Sequence, residues 1–267
     1  MFWAAILSEQ NEPELTLAVF SENSGITHLL LDIEGTTTPV DFVYKTLFPF
    51  AAERVEAYLH QHAAEGEVRE LVDELRREHA ADAAKHPALR PWLHASADEQ
   101  ISSAVKYVRH LIAVDKKLTP LKTLQGRIWE EGFLSGALRG DMYEDVPRAF
   151  ERWKKDGKRI AIFSSGSVLA QRLLFGHSVV GDLTVYIDDY FDTTTGPKRE
   201  PASYVAIVKA LRTPPDKIMF FSDVTGELDA ARATGINTVL MIRPGTLRPS
   251  ETRHTCVESF DDVDLEA

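Results

Sequence analysis

A short apolar segment near the N-terminus places the strongest limit on the fold of this chain. Residues 27–33 are almost continuously apolar, as expected for a strand covered on both faces in a parallel sheet. The run ends at Glu34-Gly35-Thr36, where the glycine favours a loop. Polar residues directly after such a strand lie at the sheet edge where α/β proteins bind ligands. The segment therefore predicts an α/β fold with Asp32 and Glu34 at that edge.

Strand and helix patterns alternate after about residue 140. Apolar runs predict further strands at residues 159–163, 218–221 and 238–242, and helical patterns lie between them at 168–175 and 228–233. Strands that alternate with helices are typical of a parallel α/β sheet. We therefore predict a core in which the main strands run parallel.

The region between the first strand and the later ones has a different pattern. Apolar residues recur there at helical spacing: Val68, Leu71, Val72 and Leu75, then Ile101, Ala104, Val105, Val108 and Ile112, then Leu124 and Ile128. A chain of 267 residues is long enough for a core with an insertion. We expect an α/β core at 27–40 and 139–267, an inserted helical domain at 41–138, and an N-terminal extension at 1–26.

Several polar side chains are predicted to meet at the carboxyl edge of this sheet. They are Asp32 and Glu34 after the first strand, Ser164 and Ser165 after the second, Asp223 after the third, and Lys198 in a loop before a helix. Carboxylates suit Mg²⁺, and an aspartate can attack phosphorus. A second acid can protonate the leaving oxygen, and a lysine can neutralise the transferred group. The set is complete for phosphoryl transfer to an aspartate.

Each of these residues alone has a simpler structural explanation. Asp32 and Asp223 are common types for turns and helix caps, and the run Ser164-Ser165-Gly166-Ser167 at a helix start is typical of an N-cap. Lys198 taken alone fits a solvated surface lysine. The order and placement of the whole set favour the catalytic interpretation over these alternatives.

The motif order resembles the haloacid dehalogenase superfamily. The run Asp32-Ile33-Glu34-Gly35-Thr36 is similar to its Asp-x-Asp/Glu-Gly-Thr motif, and Ser164 or Ser165, Lys198 and Asp223 match the motifs that follow. Within the superfamily, several runs resemble the enolase-phosphatases (acireductone synthases) of methionine salvage. The first is the motif at 32–39, which has Glu34 in place of the commoner second Asp. The others are Leu47-Phe48-Pro49, Leu124-Gln125-Gly126 with Trp129, the run 171–178, and Arg243-Pro244-Gly245.

The resemblance implies a Rossmann-like parallel sheet with a helical cap over the site. It implies a monomeric enzyme that enolises 2,3-diketo-5-methylthiopentyl-1-phosphate and then hydrolyses the phosphate ester, which yields 1,2-dihydroxy-3-keto-5-methylthiopentene. By the same resemblance, Asp32 is the nucleophile and Glu34 the acid/base. One Mg²⁺ per subunit is held by Asp32, Asp223 and the backbone carbonyl of Glu34. Ser164 and Ser165 bind the substrate, and Lys198 binds its phosphate.

Charge and cysteine content limit the possible partners and location. The chain has 30 Lys and Arg against 41 Asp and Glu, a net charge of −11, which disfavours nucleic acid and anionic membranes as partners. The single cysteine, Cys256, cannot form an internal disulfide, and the N-terminal residues do not resemble a signal peptide. We expect a cytoplasmic protein.

Two alternative functions stay open at this point. The first is a phosphatase of the same superfamily that acts on another small phosphate ester, since the core motifs do not select the substrate. The second is a non-catalytic binding protein on the same fold, although Asp32, Lys198 and Asp223 are all present.

Overall fold

A six-stranded parallel sheet forms the centre of the structure, a computed structural model that describes residues 18–19, 25–86 and 89–265. The described residues form eight strands, of which six belong to this sheet. They are β1 (Ala18–Val19), β2 (His28–Leu31), β3 (Arg159–Phe163), β4 (Asp189–Phe191), β5 (Ile218–Ser222), β6 (Asn237–Met241), β7 (Thr255–Val257) and β8 (Val263–Asp264). The sheet order is β4-β3-β2-β5-β6-β7, and every neighbouring pair is parallel. The short strands β1 and β8 pair separately. The predicted α/β class is confirmed.

Helices fill the segments between the strands. They are α1 (Val40–Phe42), α2 (Phe48–Gln61), α3 (Gly66–Ala83), α4 (Ala97–Ala113), α5 (Thr119–Leu134), α6 (Asp145–Lys155), α7 (Val168–Gly176), α8 (Pro201–Leu211) and α9 (Thr225–Arg232). Single 3₁₀ turns occur at Thr184–Tyr186, Pro215–Lys217 and Phe260–Asp262. In the part of the chain that the structure describes, no helix has the length and apolar character needed to cross a bilayer.

Both faces of the sheet are buried. Side chains alternate along a strand, so Leu29 and Leu31 of β2 pack on one face while Leu30 packs on the other. Helices α6 and α7 cover the first face with Val146, Phe150, Trp153, Leu173 and Phe175. Helices α8 and α9 cover the second with Tyr204, Ile207, Leu228 and Ala231. Because both faces are buried, the sequences of these strands are nearly continuous apolar runs.

Helices α2 to α5 have an apolar core of their own. It is built from side chains between Ala51 and Ile128, including Leu59, Leu75 and Val108. Phe50 and Trp129 pack against both this core and the core on the sheet. We call the segment Val40–Leu134 the helical block. Its action as a separate cap domain stays a prediction, as does the division of the chain at 41–138.

The helical block begins with a widened turn. Between α1 and α2 the helix continues without a break through a π-helical turn at Val43–Leu47. Such turns often occur at functional sites, because the extra residue changes the direction of neighbouring side chains. The indole N–H of Trp129 donates to the Leu47 carbonyl oxygen at 2.9 Å, which fixes the end of this turn to α5.

Two sequence predictions lie partly outside the described residues. Of the predicted extension 1–26, only β1 and residues 25–26 are described, and Ile26 is buried in the sheet core. Of the predicted helical domain at 41–138, residues 87 and 88 are also outside the described part.

Candidate active site

The predicted site residues come together because three strands lie side by side. β2 lies between β3 and β5, and Leu31 pairs in register with Ile162 and Phe221. The three strands therefore end at the same level. Asp32 and Glu34 follow β2, Ser164 follows β3 and Asp223 follows β5, while Lys198 reaches the same point from the loop before α8. Sequence reasoning placed these residues at one edge, as the structure does.

The backbone itself closes the loop after β2. The N–H groups of Thr36, Thr37 and Thr38 all donate to the carbonyl oxygen of Ile33, at 2.9 to 3.1 Å. The Thr37 hydroxyl adds a contact to the Asp32 carbonyl oxygen at 3.3 Å. Three donors on one acceptor hold this loop in a single shape, so the two acidic side chains before it are fixed relative to the sheet.

Gly35 allows the loop to approach Asp223. Its φ of +71° lies in the left-handed region, and a Cβ at this position would lie 2.2 Å from Oδ2 of Asp223. Any side chain here would collide with that carboxylate. The glycine in the Asp-x-Glu-Gly-Thr run is therefore required by the close approach of β5 as well as by the turn.

Lys198 connects two carboxylates beneath the strand ends. Its ammonium lies 2.5 Å from Oδ1 of Asp32 and 2.7 Å from Oε2 of Glu227. The backbone of Lys198 is fixed by Tyr204, whose hydroxyl donates to the Lys198 carbonyl oxygen at 2.7 Å. Sequence reasoning missed Glu227. Its spacing of four residues from Asp223, in the first turn of α9, was the available signal.

Two serines complete the polar contacts. Ser222 lies with its hydroxyl 3.4 Å from Oδ2 of Asp32 and 3.1 Å from Oε2 of Glu227. Ser164 approaches Oε2 of Glu34 at 3.5 Å and accepts from the Gly166 N–H at 3.1 Å. Oδ1 of Asp32 is thus firmly held by Lys198, whereas its Oδ2 has only a long contact.

Buried negative charge exceeds buried positive charge at this site. Burial, and then the charge of Asp32, raises the pKa of Glu34 and that of Glu227. The same two causes raise the pKa of Asp223 to about 7. Burial would lower the pKa of Lys198, but the charges of Asp32 and Glu227 reverse this and keep it above its ordinary value. One ammonium does not balance these carboxylates, so the site favours a bound cation.

The residues present fit a divalent cation. Asp32 and Asp223 offer carboxylate oxygens, and Gly35 leaves room for the Asp223 carboxylate against the backbone beside Glu34. Among the described residues no N–H donates to the Glu34 carbonyl oxygen, which leaves it available as a ligand. No cluster of three or more acidic, His or Cys side chains with metal-site geometry occurs in the described ranges. The proposed ligand set is consistent with this absence, because it contains only two carboxylate side chains together with one backbone carbonyl.

A cavity of about 340 Å³ lies between these residues and the helical block. Its floor is formed by Asp32, Glu34, Ser164, Ser165, Lys198 and Asp223. Its opposite wall is mostly apolar and contains Val43, Leu47, Phe48, Leu121, Trp129 and Leu174. Further polar side chains that the sequence analysis did not assign also line it, among them Lys122, Gln125 and Gln171. The cavity suits a ligand with a charged end and an apolar end.

Comparison with known proteins agrees with this geometry. A family model described as haloacid dehalogenase-like hydrolase matches residues 26–235. Enolase-phosphatase E1 of Synechococcus elongatus is 50% identical over 238 residues, which cover 89% of this chain and 98% of the relative. Enolase-phosphatase E1 of Azotobacter vinelandii is 45% identical and covers 88% and 96%. The crystal structure of the UTR4 protein from Saccharomyces cerevisiae superposes with a TM-score of 0.71 at 32% identity, covering 89% and 100%.

Proposed function

This chain belongs to the haloacid dehalogenase-like hydrolases and, within them, to the enolase-phosphatase E1 family, and from that membership we propose its reaction. The substrate is 2,3-diketo-5-methylthiopentyl-1-phosphate. It is first enolised, when a proton moves from the carbon that carries the phosphate ester to the neighbouring carbonyl oxygen. Water then hydrolyses the ester to give the acireductone and phosphate. The observation that carries this proposal is the buried Asp32–Lys198 pair at the strand ends, beside Glu34 and the cavity.

Asp32 is the nucleophile. Lys198 and the Ile33 N–H hold its Oδ1 at 2.5 and 2.7 Å, which leaves Oδ2 as the freer oxygen for attack on phosphorus. Attack forms an aspartyl phosphate and breaks the bond between phosphorus and the ester oxygen. A side chain fixed in this way needs little reorganisation before it reacts.

Glu34 is the general acid and then the general base. Burial raises the pKa of its carboxyl, which favours the protonated form needed to donate to the leaving oxygen. The resulting carboxylate then accepts a proton from the water that attacks the aspartyl phosphate. Phosphate is released, and Asp32 and protonated Glu34 are restored.

Asp32, Asp223 and the backbone carbonyl of Glu34 would hold one Mg²⁺. When bound, the ion offsets negative charge on the transferred phosphoryl group. Ser164 and Ser165, at the start of α7, would bind substrate oxygens, and Lys198 would contribute positive charge to the phosphate. The net charge of −11 gives no long-range attraction for an anionic substrate, so these local charges must supply it.

The helical block acts as a cap that selects the substrate. It contributes the apolar wall with Phe48, Leu121 and Trp129, which suits a methylthioalkyl tail. Closure against the strand ends would exclude bulk water during phosphoryl transfer. Cytoplasmic location and a monomeric state stay predictions.

One experiment tests the two steps together. The diketone phosphate is incubated with enzyme and Mg²⁺, while absorbance reports the conjugated enol and a second assay reports phosphate. We expect the enol phosphate before free phosphate. In the Asp32→Asn variant we expect the enol phosphate to accumulate without phosphate release. Release of phosphate by Asp32→Asn would contradict the nucleophile assignment, and equal turnover of unrelated sugar or nucleotide phosphates would favour a different phosphatase.

A further inference from the structure

Of the four lysines that line the cavity, one forms no ion pair with a described carboxylate. Lys198 is paired with Asp32 and Glu227, Lys117 lies 2.5 Å from Asp115, and Lys116 lies 4.0 Å from Asp82. Lys122, on α5, donates instead to the Ser165 carbonyl oxygen at 3.1 Å and to the Thr193 hydroxyl at 3.4 Å. Both acceptors are neutral, and no described carboxylate lies within ion-pair distance of it. An ammonium has three N–H donors, so Lys122 keeps one donor for a ligand, although its charge also acts on the nearby Asp192 carboxylate without an ion pair.

Gln125 lies on the same face of α5 as Lys122. Residues three apart on a helix are neighbours, and both side chains line the cavity. Gln125 is only 5% exposed, and among the described residues its amide has no hydrogen-bond partner. Its amide nitrogen and oxygen keep some accessible surface, so they face the open space of the cavity. Its N–H donors are therefore available to an oxygen atom of a molecule in the cavity.

Gln171, on α7, also lines the cavity, but its amide is held by the protein itself. Its amide nitrogen donates to the carbonyl oxygens of Gly166 and Phe191 at 2.9 and 2.8 Å. These two bonds fix the orientation of the amide, so its Oε1 is the remaining polar atom. That oxygen is buried and has no partner. Because this oxygen has almost no accessible surface, Gln171 fixes the segment after β3 and does not contact a ligand directly.

We propose that Lys122 and Gln125 form a subsite for the two neighbouring oxygens of an α-diketone and for its enol. The two donors, Lys122 and Gln125, match two carbonyl oxygens, and both can keep donating to those oxygens after enolisation. The phosphate end is served by other groups, namely Lys198 and the donors near Ser164. This inference rests on the proposed function, because it assigns the part of the substrate that the phosphoryl-transfer residues do not contact.

The subsite acts on the first step of the reaction. As the C–H electron pair moves into the new C=C bond, negative charge develops on the carbonyl oxygen, and the same oxygen ends as the enol hydroxyl. The Lys122 ammonium stabilises that charge by donating a hydrogen bond, with no proton transfer of its own. Hydrolysis of an ester that has no carbonyl group does not need this stabilisation.

The test measures the two steps separately. Enolisation is followed by absorbance in the Asp32→Asn background, with and without Lys122→Met or Gln125→Leu. Hydrolysis is followed in the otherwise unchanged enzyme with p-nitrophenyl phosphate, which cannot enolise, together with inhibition by inorganic phosphate. We expect each substitution to slow enolisation by about 10²-fold and to leave hydrolysis and phosphate inhibition unchanged. Lys122→Arg should retain more enolisation than Lys122→Met, since it keeps the charge.

The controls distinguish the possible failures. Lys106→Met, at an exposed lysine of α4, should change neither step. If Lys122→Met enolises as fast as its parent, the subsite is wrong while the proposed function stands. A parallel loss of enolisation and p-nitrophenyl phosphate hydrolysis would also overturn the subsite, because it would place Lys122 in phosphate binding or folding. No enolisation by the enzyme with its natural Asp32 would refute the proposed function and the subsite with it.

Discussion

The guanidinium of Arg243 donates two hydrogen bonds to the carbonyl oxygen of Thr36, from Nε at 2.9 Å and from Nη2 at 2.6 Å. Its Nη1 forms a buried ion pair with Asp145 at 2.7 Å. Asp145 in turn accepts from the Phe260 N–H and the Ser259 hydroxyl. The loop that carries Glu34 and Gly35 is thus attached to the C-terminal region through one charged side chain.

Removal of Arg243 should destabilise the protein strongly. Arg243→Met leaves the Asp145 carboxylate buried without its cation, and such a loss typically costs about 3–5 kcal/mol. Urea unfolding would measure it. Arg248→Met is the matched control, since its pair with Glu258 at 3.3 Å is exposed and worth about 0–1 kcal/mol. Similar midpoints for the two variants would contradict the structural role of Arg243.

Gly35→Ala should weaken metal binding more than it destabilises the fold. The new Cβ would collide with Oδ2 of Asp223, and displacement of supporting contacts typically costs about 10–100-fold in metal affinity. Gly157→Ala is the control, because its φ of +72° is nearly the same and no atom lies within 4 Å of the added Cβ. The Mg²⁺ concentration for half-maximal phosphate release should rise only in Gly35→Ala. Equal shifts in both would attribute the effect to backbone strain alone.

The parallel sheet and the main site residues could be predicted because their signals are local. A buried parallel strand reads as a continuous apolar run, and a polar residue after it marks the ligand edge. The run at 27–33 became β2, and Asp32, Ser164 and Asp223 then followed from strand order. The helix predicted at 228–233 is α9, which begins three residues earlier, at Thr225, and ends at Arg232.

The features that sequence reasoning missed depend on distant contacts or on short elements. Strands β4 and β7 have three residues each, too few for a pattern to be recognised. The Arg243–Asp145 pair joins residues 98 positions apart, and no local pattern reports such a contact. Lys122 looks like an ordinary surface position of an amphipathic helix. The run Leu124-Gln125-Gly126 indicated the family but not a role for the Gln125 side chain.

Glu34→Gln should slow phosphate release and leave substrate binding nearly unchanged. Burial raises the pKa of Glu34, which favours its protonated form. The protonated acid has nearly the same shape and charge as the glutamine amide. Gln cannot transfer the proton, so kcat should fall by about 10²–10⁴-fold while KM stays close to that of the parent. Steady-state phosphate release measures both. Glu151→Gln, at an exposed position of α6, should behave as the parent, and an unchanged kcat in Glu34→Gln would refute its role.

The stability of the helical block should depend on pH through His62. This side chain, just after α2, lies 2.6 Å from Glu65 and 2.7 Å from Glu131 of α5. The hydrogen bond to Glu65 is the main cause that raises the pKa of His62, and Glu131 adds to it. A raised pKa in the folded state means that the charged form stabilises the fold.

The direction of this pH dependence follows from the raised pKa of His62. The stabilisation is fully present below the unfolded-state pKa of about 6.5, and it is lost as pH rises through the higher folded-state value. Since the pair is partly exposed, we expect less than about 1 kcal/mol. Urea unfolding of the parent and of His62→Gln should therefore differ more at pH 6 than at pH 8.5. His60→Gln, at an exposed position without an ion pair among the described residues, should show no such difference, and a larger gap at the higher pH would contradict the assignment.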